Sequence, residues 1–197
     1  MGIRYLYLVR HGQYDIESQE ELGGSLTGIG REQAEATAAA LSMLPIRSVY
    51  TSPWQRAQET AAIVCERLTG IQPQIVPELV ELIPAIPARD AYFFAMHRPK
   101  LTREHVEETR AVADEAFNRL FCPSPVQEDF PHEVVVCHGN IIRYFVCKTL
   151  GVPADTWTNM ETNQCGITRC AIEADGRMRL ISMNDTGHLP LALRLFS

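Results

Sequence analysis

Apolar runs of strand length alternate with stretches of helical period along this chain, and no other feature constrains its fold as much. Residues 3–9, Ile3-Arg4-Tyr5-Leu6-Tyr7-Leu8-Val9, read as a first strand. Leu26-Thr27-Gly28 introduces a helix over 28–43, with Thr27 as its N-cap and Ala34, Ala38, Leu41 and Leu44 on one face. Pro45 ends it. Ser48-Val49-Tyr50 is a short second strand. Thr51-Ser52-Pro53 reads as the next helix start, Ser52 capping and Pro53 at the first helical position. That helix runs to about Thr69, where Gly70 stops it.

Residues 74–80 look like a strand ending at Glu81. The stretch 82–100, with Pro84, Pro87, Pro99 and the aromatic run Tyr92-Phe93-Phe94, reads as a long loop holding a short helix. Long loops of this kind often close over binding sites, and the aromatic run suits a substrate mouth or a core plug equally. Residues 102–121 have helical period and 123–131 read as a surface loop. Residues 133–137 form a strongly apolar strand, Gly139-Asn140 opens a helix to Leu150, and Gly151 lies just past its end. Residues 166–173 and 178–183 pair as a hairpin across Asp175-Gly176. This order predicts an α/β fold, a three-layer α/β/α sandwich with a mixed, mostly parallel sheet. At 197 residues, with no repeat or internal boundary, residues 1–197 read as a single domain.

The net charge of −6 disfavours a nucleic-acid surface, and no apolar run is long enough to span a membrane. The chain goes almost at once into its first strand, so the expected location is the cytoplasm. The cysteines (65, 122, 137, 147, 165 and 170) include no C-x-x-C pair and read as free, mostly buried thiols. Cys165 and Cys170 lack partners at metal-ligand spacing, so no metal or cofactor is expected.

In open α/β sheets, ligands bind beyond the carboxyl ends of the strands. Three such ends carry basic or polar residues here: Arg10-His11; Thr51-Ser52, with Arg56 a turn later; and His138-Gly139. Two arginines and two histidines on one side of one sheet suit phosphoryl transfer. Arginine pairs with two phosphate oxygens through a planar fork. A helix start near Gly139 and Asn140 offers backbone N–H groups to an anion. Nearby cations keep His11 neutral and able to attack phosphorus, while a cationic His138 stabilises the transition state. Each residue taken singly has a structural alternative: Arg56 as a solvated helix residue, His138 as a packing histidine. His97, His105, His132 and His188 have no partners visible in sequence and read as surface or packing residues.

Leu8-Val9-Arg10-His11-Gly12 resembles the signature of the histidine phosphatase superfamily, also called phosphoglycerate-mutase-like. The resemblance continues through Leu26-Thr27-Gly28-Ile29-Gly30-Arg31-Glu32-Gln33-Ala34, Val49 to Thr60, and Val136-Cys137-His138-Gly139. It implies a phosphoglycerate-mutase-like fold, His11 as a covalent phosphoryl acceptor, and Arg10, Arg56, His138, Gly139 and Gln13 around the phosphate. It also implies Glu81 as proton donor, with Glu78 as competitor. Within the superfamily the chain resembles the mitochondrial Ser/Thr protein phosphatases of phosphoglycerate-mutase type. The shared segments are Arg10-His11-x-Gln13-Tyr14, Gly30-Arg31-Glu32-Gln33-Ala34-Glu35, His138-x-Asn140-x-Ile142-Arg143-Tyr144 and Asp185 to Pro190. The function so implied is phosphomonoester hydrolysis of a phosphoprotein or phosphorylated metabolite, with a homodimer suggested by the same resemblance. The alternatives are a phosphoglycerate mutase or sugar-phosphate phosphatase and, in another class, an inactive phospho-ligand scaffold.

Overall fold

The computed structural model describes residues 2–17, 23–97, 101–124 and 130–194, apart from the side chains of Phe93 and His97. The expectations placed on those two side chains, and parts of the 82–100 and 123–131 loops, therefore lie outside the described residues.

Six strands form one sheet: β1 (Ile3–Arg10), β2 (Ile46–Thr51), β3 (Pro73–Ile75), β4 (His132–Cys137), β5 (Ile167–Glu173) and β6 (Met178–Asp185). Their order is β3-β2-β4-β1-β5-β6. The first four are parallel, and β5 pairs antiparallel with both β1 and β6. The helices are α1 (Gly28–Leu41), α2 (Gln55–Glu66), α3 (Ala91–His97), α4 (Arg103–Leu120) and α5 (Gly139–Leu150). The mixed, mostly parallel sandwich expected from the sequence is the fold observed.

Alternation along β1 and β4 explains why both sheet faces are covered. Leu6, Leu8 and Val135 point to one face and pack with Phe117 of α4 and Ile141 and Phe145 of α5. Tyr7, Val9, Val134 and Val136 point to the other and pack with Ala38 of α1 and Ala57, Ala61 and Val64 of α2. Each large apolar side chain buried this way contributes about 1.5–3 kcal/mol. Thr27 caps α1, its side chain accepting from Gly30 N–H, and α5 ends at Gly151 with a φ of 66°.

Two local expectations are corrected. The strand read over 74–80 is only Pro73–Ile75. Beyond it Val76 N–H still reaches the Thr51 carbonyl, but Pro77 has no N–H and Leu79 turns back onto Val76. The second helix starts at Gln55 after Trp54 rather than at Pro53, and ends at Glu66. Ser52 does not cap it because its hydroxyl is turned to His138. All six cysteines are free, five buried and Cys122 exposed. Tyr92 is exposed and plugs no core.

Candidate active site

β1, β2 and β4 end side by side. Arg10 pairs with Cys137, and His11 N–H donates to the Cys137 carbonyl at 3.0 Å. Ser52 N–H donates to the Val136 carbonyl, also at 3.0 Å. The sheet thus delivers Arg10, His11, Ser52 and His138 to one spot, and the first turn of α2 adds Arg56.

His11 is 2 % exposed. Its Nδ1 lies 2.8 Å from the Gly12 carbonyl, which can only accept, so Nδ1 carries the hydrogen and Nε2 keeps a lone pair. Arg56 Nε donates to that Nε2 at 2.9 Å. Arg56 Nη2 lies 3.3 Å from His138 Nδ1, and His138 Nε2 lies 2.8 Å from Ser52 Oγ. The Arg56 guanidinium is held between the rings of Tyr14 and Trp54, 4.3 Å from each centroid. Arg10 Nη1 donates to the Thr162 carbonyl at 2.6 Å.

Burial, then the Arg56 charge, holds the His11 pKa well below its ordinary value, against the Gly12 hydrogen bond. The direction matches the sequence expectation, but burial outweighs the cations. His138 is also held well below its ordinary value, by burial first and then by His11, Arg56 and Arg10. These influences disfavour the cationic form of His138 that the sequence reading invokes for the transition state, and with no phosphate beside it Nδ1 faces the donors of Arg56.

Glu81 follows the turn after β3. Its Oε1 accepts the N–H groups of Leu82 and Asn140, both at 3.2 Å, so it caps α5 in place of a side chain from that helix. Burial raises its pKa, and the two N–H groups, Arg10 and Arg56 oppose the rise. Glu78 instead pairs with Arg119 of α4 at 3.4 Å. Gly139 opens α5 against Arg10; a Cβ there would stand 3.0 Å from Thr162 Oγ1 and 3.4 Å from Arg10 Nε.

The structure thus brings together Arg10, His11, Arg56, Glu81, His138 and Gly139. It turns the Gln13 side chain away, its Oε1 accepting from Thr27 Oγ1 at 2.6 Å. Of the other histidines, His105 is exposed, His132 bonds the Tyr7 hydroxyl at 2.8 Å, and His188 Nε2 lies 2.9 Å from Thr37 Oγ1. The sequence assigns Trp54 and Arg143 no role at the site, reads Ser52 as a helix cap at one of the converging strand ends, and offers Asn140 as a helix cap that also suits the pocket. Ser52 and Trp54 flank His138. Asn140 and Arg143 are joined by a hydrogen bond, and Arg143 also donates to the Met160 carbonyl at 3.1 Å and lies over Trp157. The recurrence of Arg143 four residues into a helix that begins at the site was the available signal for it. Among the described residues no group of three or more His, Cys, Asp or Glu could hold a metal ion.

Residues 6–186 match the family described as histidine phosphatase superfamily (branch 1). Curated relatives include the mitochondrial serine/threonine-protein phosphatase Pgam5 of Caenorhabditis briggsae, 34% identical over 189 residues and covering 94% of this chain. Its Homo sapiens counterpart is 32% identical over 190 residues, covering 95%. The chain spans 64% of the length of each. Among solved structures, a phosphoglycerate mutase from Plasmodium falciparum is 25% identical, covers 97% of this chain and 96% of its own, and has a TM-score of 0.64. Bacillus stearothermophilus YhfR shares the fold with a TM-score of 0.74 at 20% identity, covering 95% of this chain and 100% of its own.

One expectation falls here. The cytoplasmic location does not stand, because the curated relatives are named as mitochondrial. The composition of a folded domain carries no address; compartment signals are read by receptors, separately from the fold. The family expectation holds: the chain belongs to the histidine phosphatase superfamily, branch 1.

Proposed function

We propose that this chain, as one histidine phosphatase domain, hydrolyses phosphomonoesters through a covalent phosphohistidine at His11, with phosphoserine and phosphothreonine side chains of proteins among its substrates. The observation that carries the reading is the bond from Arg56 Nε to His11 Nε2. It identifies an unprotonated ring nitrogen facing the guanidinium that a phosphate would engage. A phosphoryl group reaching His11 draws the Arg56 donors onto its own oxygens and frees the lone pair.

That lone pair forms the P–N bond as the P–O bond to the alcohol breaks, and Glu81 gives its proton to the departing oxygen. The Gly12 carbonyl, bonded to Nδ1–H, takes up the positive charge that develops on the ring. Arg10, Arg56 and His138 bind the equatorial oxygens, which is where charge accumulates. Glu81, now a carboxylate, takes a proton from water as the water oxygen attacks phosphorus. The P–N electron pair returns to His11, and inorganic phosphate leaves. The protein-phosphatase part of the reading is supported by the relatives' names.

The test is release of inorganic phosphate from p-nitrophenyl phosphate and from a set of phosphopeptides and phosphorylated metabolites, comparing the protein with His11→Ala. Activity lost in the variant, with an acid-labile phosphoenzyme trapped on the unsubstituted protein, is the expected result. Persistent activity in His11→Ala refutes the mechanism, and binding of phosphopeptide without turnover supports a scaffold instead.

A further inference from the structure

Ser52 is wholly buried just past β2, and a backbone N–H and a ring nitrogen both face its hydroxyl oxygen. Trp54 N–H donates to Ser52 Oγ at 3.2 Å, and His138 Nε2 lies 2.8 Å from the same atom. The second partner could run in either direction, but the far side of the ring decides it. His138 Nδ1 faces Arg56 Nη2 at 3.3 Å, and a guanidinium has donors only. Nδ1 must accept, so Nε2 holds the hydrogen and Ser52 Oγ receives it.

We infer that Ser52 is a positioning residue of this site: its hydroxyl oxygen accepts the His138 Nε2–H and fixes the orientation of the ring, so that Nδ1 stays turned to Arg56 and the phosphoryl group. The inference rests on the phosphohistidine reading above. It explains why Ser52, followed by proline in a helix-start pattern, caps no helix: α2 begins at Gln55 and Trp54 makes no side-chain cap. It also gives His138 two usable charge states. The proton gained beside a phosphate enters at Nδ1, where it can be donated to a phosphoryl oxygen, and the bond to Ser52 is kept throughout. The charged and titratable groups facing the ring are His11, Arg10 and Arg56. None of them is an acceptor for Nε2–H in this arrangement, so among the described residues Ser52 supplies the fixed acceptor on that side.

Nitrogen NMR of isotopically labelled histidines at neutral pH reads the tautomer directly. His138 is expected with Nε2 protonated and Nδ1 unprotonated in the unsubstituted protein and in Ser52→Thr, and Ser52→Ala, which takes away the acceptor, should make Nε2–H exchange with solvent markedly faster. With p-nitrophenyl phosphate, kcat should fall about tenfold to hundredfold in Ser52→Ala, with KM moving less, and Ser52→Thr should recover most of it. A His138 protonated at Nδ1 in the unsubstituted protein overturns the inference even if Ser52→Ala fails to fold. So does a Ser52→Ala that keeps both the slow exchange of Nε2–H and full kcat. A fully active His11→Ala overturns the phosphohistidine reading instead and leaves the tautomer result standing.

Discussion

Oε1 of Glu81 accepts both the Leu82 and the Asn140 N–H groups, so the proton of its acid form sits on Oε2. Burial raises its pKa, which keeps that acid form present closer to neutrality than an ordinary carboxyl allows. The proposed mechanism uses the acid form on alkyl phosphates, so kcat/KM should fall as pH rises through this raised value, and Glu81→Gln should abolish that limb of the profile. The same variant should lower kcat/KM, which reports the step that forms the phosphoenzyme, on a phosphopeptide about a hundred- to ten-thousand-fold. The loss on p-nitrophenyl phosphate should be smaller because its leaving group needs no proton. Equal losses on the two substrates would rule out the donor role. Arg56 permits a second measurement. Arg56→Lys keeps a charge but gives up the fork that reaches His11 and His138 and the planar stacking between Tyr14 and Trp54. Its kcat should drop about a hundred- to a thousandfold in steady-state assays.

One step up, α1 holds the loop that follows the nucleophile. Gln33 is fully buried; its Oε1 accepts Gln13 N–H and its Nε2 donates to the Leu193 carbonyl, both at 2.8 Å. Gln33→Leu leaves both backbone groups unpaired, at about 1–3 kcal/mol each, and should lower the denaturant midpoint accordingly. Gly30 of the same helix meets the Gln13 carbonyl so closely that a Cβ would stand 1.9 Å from its oxygen. Gly30→Ala should therefore cost about 1–3 kcal/mol and lower kcat as well, measured on one preparation by thermal melting and turnover. These elements also mark what could be read from sequence. β1, β4, the final hairpin and the Thr27 cap were legible because periodicity and capping are local. The site's basic residues were legible because strand ends converge by topology. Ser52, Gln33 and the early end of β3 were not. Ser52 and Gln33 have partners set by which strands and segments lie adjacent, and no local pattern distinguishes a cap serine from one claimed by a histidine on a neighbouring strand. The resemblance favours Glu81 over Glu78 by position, but no local pattern shows where each carboxylate goes: the Asn140 N–H of α5 meets Glu81 and Arg119 of α4 meets Glu78.

Across the whole molecule, two deeply buried histidines make folding sensitive to acid. The pKa values of His11 and His138 are depressed in the folded state, so below the unfolded value of about 6.5 the unfolded chain binds more protons. Their contribution is full above that pH and is lost as pH falls through it. Glu81 acts in the opposite sense: its raised value gives stability below the unfolded carboxylate range and loses it as pH rises to the folded value. Burial lowers His132 and His188 as well, so four histidines oppose one carboxyl, Tm should decline as pH is lowered from about 7 toward 5, and His138→Gln should flatten that slope in calorimetry. Such a decline would accompany any acid limb in activity and has to be separated from it by measuring both. The bond from Arg56 to His11 has one more consequence. The guanidinium shields the nucleophile until an anion competes for it. Uncharged alkylating or acylating reagents meet a capped nitrogen, whereas a phosphoryl dianion removes the cap by binding. The site thereby sorts electrophiles by charge before any bond to nitrogen is made.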